Sequence, residues 1–212
     1  MECRKKYATG DIIIVRYADD FVLGFQYQKE AERFLEQLQE RMREYGLELH
    51  SEKTRLIEFG RFAASNRKRN GEGKPETFNF LGFTHICGTV RKTGRFIVKR
   101  RTIGKRMAAK LKSIKVELRR RMHQPIAMVG QWLRAVVQGY FNYFAVPGNF
   151  PRLNSFVREV TRLWWHVVRR RSQHGLKPTV FYRIAAQYLP RPAILHPYPT
   201  ERFYAKHPKA PR

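Results

Sequence analysis

The spacing of apolar residues predicts two kinds of structure, which meet near residue 100. In residues 11–27 two apolar runs, 12–15 and 21–25, flank a polar turn, and this pattern is typical of a β-hairpin. Between residues 28 and 45 the apolar positions recur with the helical period, and Gly46 follows as a residue type that commonly ends a helix. A short strand is predicted at residues 56–59.

The next segment predicts a loop and a second hairpin. Residues 61–77 are polar, basic and glycine-containing, which is typical of a loop. Residues 78–87 and 95–99 are rich in apolar and aromatic side chains, and the connection 88–94 is bounded by glycines. These two stretches are therefore predicted to pair as the strands of a hairpin.

Beyond Gly104 the apolar residues repeat at helical spacing in three successive stripes, and a last helix is predicted at residues 179–188. The three stripes are Met107, Leu111, Ile114 and Leu118; Ile126, Val129, Leu133, Val136 or Val137, and Tyr140; and Phe156, Val160, Leu163 and Val167. The proline-rich tail from residue 190 is predicted to be extended or disordered. We therefore predict an α+β protein with domains at 1–100 and 101–189 and a basic tail at 190–212.

Charge is distributed unevenly along the chain, whose formal net charge is +26. Residues 1–60 hold ten lysines and arginines against twelve acidic residues, whereas residues 61–212 hold 33 against five. Such a surface repels itself unless a polyanion neutralises it, and nucleic-acid binding would follow through counterion release. A solvated basic face and attraction to anionic lipid are the alternatives, but the basic region is also rich in aromatic residues, which favours nucleic acid.

The sequence shows no membrane or export signal. No apolar stretch approaches the roughly 20 residues that a membrane span needs, and the N-terminus has no apolar core of a signal peptide. Two cysteines, Cys3 and Cys87, cannot make a disulfide framework. We expect a cytoplasmic protein with no membrane partner.

Two of the three aspartates in the chain, Asp19 and Asp20, are adjacent in the turn of the first predicted hairpin. Adjacent carboxylates repel one another, and a bound divalent cation such as Mg²⁺ or Mn²⁺ relieves that repulsion with hard oxygen ligands. The alternative is an ordinary turn, since aspartate is favoured in turns, although common two-residue turns prefer Asn-Gly or Asp-Gly. The pair therefore indicates metal-dependent phosphoryl chemistry.

Residues Tyr17-Ala18-Asp19-Asp20 resemble palm motif C of the reverse transcriptases, particularly those encoded by bacterial group II introns. The resemblance implies that Asp19 is a catalytic metal ligand, that Asp20 supports the site, and that Tyr17 lies at the nucleotide. Residues 46–54 are similar to the next block of the family, which implies that Lys53 lies near the phosphates of the incoming nucleotide. Residues 78–83 resemble the primer grip, formed here by Phe80, Leu81 and Gly82.

The second half of the chain is similar to the helical thumb, or maturase domain, of the same family, most clearly at residues 139–144. Taken alone, the aromatic residues 140–144 favour a core cluster over a base-stacking surface. Of the adjacent Trp164 and Trp165, one is expected to point inward and the other outward, where it could stack on a base. The predicted RNA-binding residues are Arg67, Lys68, Arg69, Arg91, Lys92, Arg100, Arg101, Lys105, Arg158, Arg162, Arg169, Arg170 and Arg171.

The resemblance implies a partial palm followed by a thumb that binds structured intron RNA and an RNA template with its DNA primer. We expect the fingers and the first palm aspartate to be missing from this sequence, because nothing before Asp11 could supply them. Polymerase activity, with Mg²⁺ or Mn²⁺ as cofactor, would then need an N-terminal reverse transcriptase fragment as a further partner. The alternatives are a non-catalytic RNA-binding splicing factor and an inactive remnant of a mobile element.

Overall fold

The computed structural model describes residues 9–171 and 176–199, and the chain divides into two compact units, residues 1–76 and 77–212. Five strands and six helices are present in the described residues, which confirms the predicted α+β class. The helices in the described residues include none that is both long enough and apolar enough to cross a membrane.

The first unit begins with a two-stranded antiparallel sheet. Strands β1 (Ile12–Tyr17) and β2 (Asp20–Phe25) pair in register from Ile12 opposite Phe25 to Tyr17 opposite Asp20. Helix α1 (Gln28–Glu44) packs against β2, with the rings of Phe25 and Phe34 5.3 Å apart. The hairpin and the helix are therefore as predicted.

Helix α1 ends at a glycine, as the sequence predicts. Gly46 has a φ of +67°, which favours glycine. Its amide donates to the carbonyl of Arg43, and the amide of Leu47 donates to that of Met42, at 2.9 Å each. These two bonds make a Schellman motif, which satisfies carbonyls that the helix end would leave unpaired.

Residues 45–76 of the first unit differ from the prediction in two places. The strand predicted at residues 56–59 does not form, and helix α2 (Ala63–Arg69) occupies part of the predicted loop 61–77. A strand needs a neighbour for its backbone groups, and the described sheet of this unit consists of β1 and β2. The α2 segment contains alanine, arginine and lysine, which favour helix.

The first unit buries little apolar surface in its described part. Ala63 is its one buried hydrophobic residue there. The hairpin exposes large fractions of Ile13 (63%), Ile14 (60%) and Val15 (45%). An apolar surface of this kind is uncommon on a soluble monomer.

The second unit begins with a three-stranded antiparallel sheet in the order β3-β4-β5. Its strands are β3 (Phe78–Phe80), β4 (Phe83–Thr89) and β5 (Phe96–Thr102). The predicted pairing of residues 78–87 with 95–99 is confirmed only for β4 and β5. Residues 78–87 are not one strand, because a two-residue turn at Leu81 and Gly82 folds β3 back onto β4.

Four helices follow: α3 (Gly104–Arg120), α4 (Ile126–Phe144), α5 (Phe150–Val168) and α6 (Pro178–Tyr188). Helix α3 packs on α5, α4 on α5 and α6, and α5 on α6. The three predicted stripes face this core, and their best-buried members are Leu118, Leu133, Val137, Phe156 and Val160. Apolar side chains at helical spacing thus bury one face of each helix, as expected of a bundle.

The sheet of the second unit is joined to its helices by a buried polar contact. The amide group of Asn149 accepts from the backbone N–H of Thr102 (3.0 Å) and donates to the Thr102 hydroxyl and the Phe144 carbonyl (2.8 Å each). Phe83 of β4 also contacts the rings of Tyr143 and Phe144. Through these contacts the sheet and the helices form one compact unit, residues 77–212. The domain bounds predicted at residues 1–100 and 101–189 stay a prediction.

The start of the predicted tail is docked on the second unit. Residues 190–199 have almost no regular structure, but the amides of Leu195 and His196 donate to the carbonyl of Ala145. The His196 ring lies 2.8 Å from the Asn142 carbonyl. The rest of the tail, residues 200–212, lies outside the described residues.

Candidate metal-binding hairpin and nucleic-acid interface

The two adjacent aspartates lie at a strained two-residue turn. Tyr17 pairs with Asp20, so Ala18 and Asp19 are the central turn residues. Ala18 has a φ of +52°, although glycine is preferred at such a position. The Arg16 side chain donates to the Ala18 carbonyl at 2.8 Å and so holds the turn. Strain in a short turn is a frequent property of functional sites.

The carboxylates of Asp19 and Asp20 are exposed at this turn. Mg²⁺ is commonly held by one or two carboxylates together with water and phosphate oxygens, so this donor set fits such an ion. Asp11 lies at the opposite end of β1, roughly 20 Å away at about 3.3 Å per residue. Within the described ranges, no group of three or more His, Cys, Asp or Glu residues is placed to hold a metal ion.

The remaining predicted site residues of the first unit are exposed. Tyr17, at the end of β1, is 64% exposed. Lys53 lies in a turn, where the backbone amides of Lys53 and Thr54 both donate to the His50 carbonyl. No contact between Lys53 and the aspartates is among the hydrogen bonds and ion pairs of the described residues, so its role at a nucleotide stays a prediction.

The predicted primer grip forms the tight turn between β3 and β4. Leu81 and Gly82 have φ values of +47° and +79°, and a leucine in this conformation is unusual. The Tyr143 hydroxyl donates to the Leu81 carbonyl (2.9 Å), and the Ile103 amide donates to that of Gly82 (3.1 Å). The second unit therefore holds a strained turn from two sides, at the residues that the resemblance singles out.

Most predicted RNA-binding residues have exposed side chains. The exposed members are Lys68, Arg69, Arg91, Lys92, Arg101, Lys105, Arg158, Arg162, Arg169 and Arg170. Arg162 pairs with Glu159 at 2.9 Å. Two grooves with basic walls lie beside this set, one between α3 and α4, and one lined by Arg101 and Arg152 near the start of α5.

Three predicted RNA-binding residues are less available than expected. Arg67 is one-fifth exposed and pairs with Glu72 at 3.1 Å, so its charge is already neutralised. Arg100 is half-buried in β5, and that burial lowers the pKa of its guanidinium. Arg171 is partly buried at the end of the α5 region.

A basic cluster around His166 was not predicted. Arg169 contacts the His166 ring at 3.2 Å, and Arg170, Lys115 and Arg162 are close enough to act on it electrostatically. Desolvation and then these cations lower the pKa of His166. Lys115 belongs to α3, and the other residues belong to α5 and its C-terminal end. The sequence shows these charged residues, but it does not show that the two helices bring them close together.

The aromatic residues serve mainly the core. Tyr140 and Phe141 are buried, which confirms the core interpretation of the 140–144 cluster for these two residues, whereas Tyr143 is 50% exposed. Trp164 is buried as well, but Trp165 packs against Phe181 (5.1 Å between ring centroids) and does not point freely outward. The prediction of an outward-pointing tryptophan is therefore wrong, because the Trp165 ring packs in the contact between α5 and α6.

Comparison with known proteins finds a similarity over the first 85 residues. Residues 1–85 match the family described as reverse transcriptase (RNA-dependent DNA polymerase). The match includes both aspartates, Lys53 and the Leu81–Gly82 turn. A search of curated proteins finds no significant match. The N-terminal part of the chain is thus similar to a reverse transcriptase domain, while helices α3 to α6 lie outside the matched residues.

Proposed function

We propose that this chain carries the palm motif C and the helical thumb of a group II intron reverse transcriptase/maturase, and that it binds structured intron RNA and an RNA template with its DNA primer. The observation that supports RNA binding best is the charge of residues 77–212, where 28 lysines and arginines face only Glu117, Glu159 and Glu201. A surface with this excess of exposed cations attracts a polyphosphate.

The metal chemistry of this proposal belongs to Asp19 and Asp20. Their oxygens would hold Mg²⁺, with Mn²⁺ as a substitute, and the ion would supply charge stabilisation for nucleotidyl transfer. Asp19 is a central residue of the strained turn, and Asp20 begins β2. We propose that polymerisation needs a further carboxylate, contributed by the first half of a palm, because these two residues are a partial ligand set.

The first experiment measures binding of the purified chain to a structured intron RNA and to a control duplex. We expect tight, salt-dependent binding that survives Asp19→Asn and Asp20→Asn but is weakened when Arg169, Arg170 and Arg171 are changed to glutamine. Equal binding by wild type and the triple variant would contradict the assignment of these arginines. Absence of RNA binding would contradict the proposed function.

The second experiment tests catalysis by primer extension with Mg²⁺. We expect no extension by the chain alone, and extension when an N-terminal reverse transcriptase fragment is added. Asp19→Asn should abolish that extension and leave RNA binding unchanged. Extension by the chain alone that is lost in Asp19→Asn would show that Asp19 acts without the added fragment.

A non-catalytic splicing factor is the second candidate. Within the described residues, no third acidic ligand lies near the exposed aspartates. The exposed basic residues, by contrast, could bind RNA without a metal site. If splicing of the bound intron proceeds equally with Asp19→Asn and Asp20→Asn, and extension never appears, this second function is the correct one.

A further inference from the structure

Helix α4 ends without a cap of its own. Ala145 follows its last residue with φ −80° and ψ 54°, so no left-handed glycine closes the helix as Gly46 closes α1. The last turn of α4 contains no basic side chain. The final carbonyls of a helix have no partner within it, and burying them unbonded is costly. The end of α4 therefore needs hydrogen-bond donors from elsewhere in the chain.

The described part of the tail supplies three of these donors. The backbone amides of Leu195 and His196 donate to the Ala145 carbonyl at 2.9 and 3.2 Å. The His196 Nε2 atom lies 2.8 Å from the Asn142 carbonyl, and it must carry the proton because a carbonyl only accepts. The tail therefore bonds the first and the last carbonyl of residues 142–145, the end of α4.

The tail is held by its backbone and one histidine, with little apolar burial. Leu189, which follows α6, is only 7% exposed, whereas Ile194 and Leu195 are 40% and 49% exposed. Four of residues 190–199 are prolines, which restrict the free chain and so lower the entropy that docking costs. The docked segment can therefore leave and return without uncovering the core.

The end of α4 also supports the turn between β3 and β4. Tyr143 lies between the two carbonyls that the tail bonds, and its hydroxyl donates to the Leu81 carbonyl at 2.9 Å. Leu81 has a φ of +47°, a strained conformation that persists only where surrounding contacts hold it. The Ile103 amide donates to the Gly82 carbonyl (3.1 Å), so its protection from exchange reports the state of this turn.

We propose that residues 190–199 form a releasable strap, which caps α4 when docked and thereby keeps the Leu81–Gly82 turn in its strained conformation. Release of the strap frees the carbonyls of Asn142 and Ala145. The end of α4 then loosens, and Tyr143 no longer holds the Leu81 carbonyl. A ligand that binds the tail only in its undocked form would shift the turn toward this loosened state. The inference concerns the second unit itself and does not depend on RNA binding.

The test is amide exchange of the full chain with deuterium, followed by NMR. The strap variant combines Leu195→Pro, which removes an amide donor, with His196→Ala, which removes the ring donor. We expect the Ile103 amide to exchange at least about fivefold faster, the effect of one ordinary hydrogen bond. The increase should exceed that of the Val160 amide, which lies in the core and reports its global unfolding.

Two controls isolate the donors of the strap. Leu195→Ala shortens the same side chain but keeps both donors, and it should exchange as the wild type does. Truncation after Pro199 removes the charges of residues 200–212 and keeps the strap, so Ile103 should again be unaffected. If this truncation accelerates Ile103 as much as the strap variant does, charge and not capping is the cause, and the proposal is wrong.

Tyr143→Phe tests the route from the strap to the turn. It removes the bond to the Leu81 carbonyl and should by itself speed exchange at Ile103. Added to it, the strap variant should have little further effect, because both act on the same contact. Full additivity would show that docking and the turn are independent. Unchanged exchange at Ile103 in the strap variant, or equal acceleration at Ile103 and Val160, would overturn the proposal as well.

Discussion

At the scale of single residues, the turn at Ala18 combines backbone strain with the two carboxylates proposed to bind metal. A side chain at a φ of +52° costs about 1 kcal/mol relative to glycine. The strained residue and the two carboxylates are neighbours in sequence, so one short segment sets the conformation of the turn and carries the chemistry that we propose for it.

We predict that Ala18→Gly stabilises the hairpin by up to about 1 kcal/mol because it relieves this strain. Hydrogen exchange of the β1 and β2 amides measures the effect. Ala64→Gly, at an exposed position of α2, is the control and should destabilise its helix by about 1 kcal/mol. Faster exchange in the Ala18→Gly hairpin would show that the turn is not strained.

Of the two buried polar residues in the described structure, Asn149 and Thr102, the loss of Asn149 should cost the second unit more stability. We predict that Asn149→Ala lowers stability by about 2–4 kcal/mol, because the Thr102 amide and the Phe144 carbonyl lose their buried partner. Thr102→Val removes one hydroxyl contact and should cost about 1 kcal/mol. Urea unfolding followed by tryptophan fluorescence tests both, and equal effects of the two variants would contradict the prediction.

His85 should make the stability of the second unit depend on pH. Burial, and then the charge of Arg100, lower its pKa from the ordinary 6.5. The unfolded chain therefore binds the proton more readily, and stability should fall as the pH drops through 6.5. His85→Phe keeps the aromatic contact with Phe78 and should reduce the fall. Melting curves between pH 7.5 and 5.5 measure it, and an unchanged pH dependence would exclude His85 as the cause.

At the scale of elements, α3 and α5 bury one face and present cations on the other. Because the two helices pack together, Lys115 of α3 joins the charges around His166 of α5. Mutual repulsion in such a cluster is relieved when phosphates bind. The bound phosphates would then favour the protonated form of His166 in the complex.

We predict that RNA affinity increases as the pH falls from 7.5 to 5.5, at constant salt. The cations lower the pKa of free His166, and bound phosphates should raise it, so the complex takes up a proton. The gain is at most tenfold for each unit by which the pKa rises on binding. His166→Gln should abolish this dependence while binding persists at pH 7.5. If His166→Gln keeps the wild-type pH dependence, a group other than His166 takes up the proton on binding.

Elements whose pattern lies within a short stretch of sequence could be predicted. Elements that depend on contacts with distant parts of the chain could not. The stripe of α4 and Gly46 after α1 depend on neighbouring residues, so their patterns are visible. The strand at residues 56–59 needed a pairing partner, and the described strands of its unit, β1 and β2, pair only with each other. The turn at Leu81 was missed because leucine gives no sign of a positive φ, and the Tyr143 hydroxyl that supports it is 62 residues away.

At the scale of the whole molecule, charge and apolar surface are separated along the chain. The first unit exposes an apolar hairpin, and residues 77–212 carry most of the net charge. The aspartate pair could be recognised from sequence because its residues are adjacent. The groove between α3 and α4 could not be recognised, because its walls come from two helices that are separate in sequence.

We predict that the melting temperature rises with ionic strength, because a net charge of +26 destabilises the compact state by self-repulsion. Salt screens these charges over a Debye length of about 10 Å at 0.1 M. Calorimetry in sodium chloride measures the increase, and addition of RNA at low salt should produce a similar rise. A melting temperature that falls with added chloride would contradict this view.

The contact between Thr102 and Asn149 has a consequence for the unfolding of the second unit. The Thr102 amide proton is buried and bonded across 47 residues to a side chain at the start of α5. Solvent can reach it only when β5 separates from the helices, so its exchange rate with deuterium should equal that of the slowest core amides. One resonance would then report whether the sheet and the bundle open together or in separate steps.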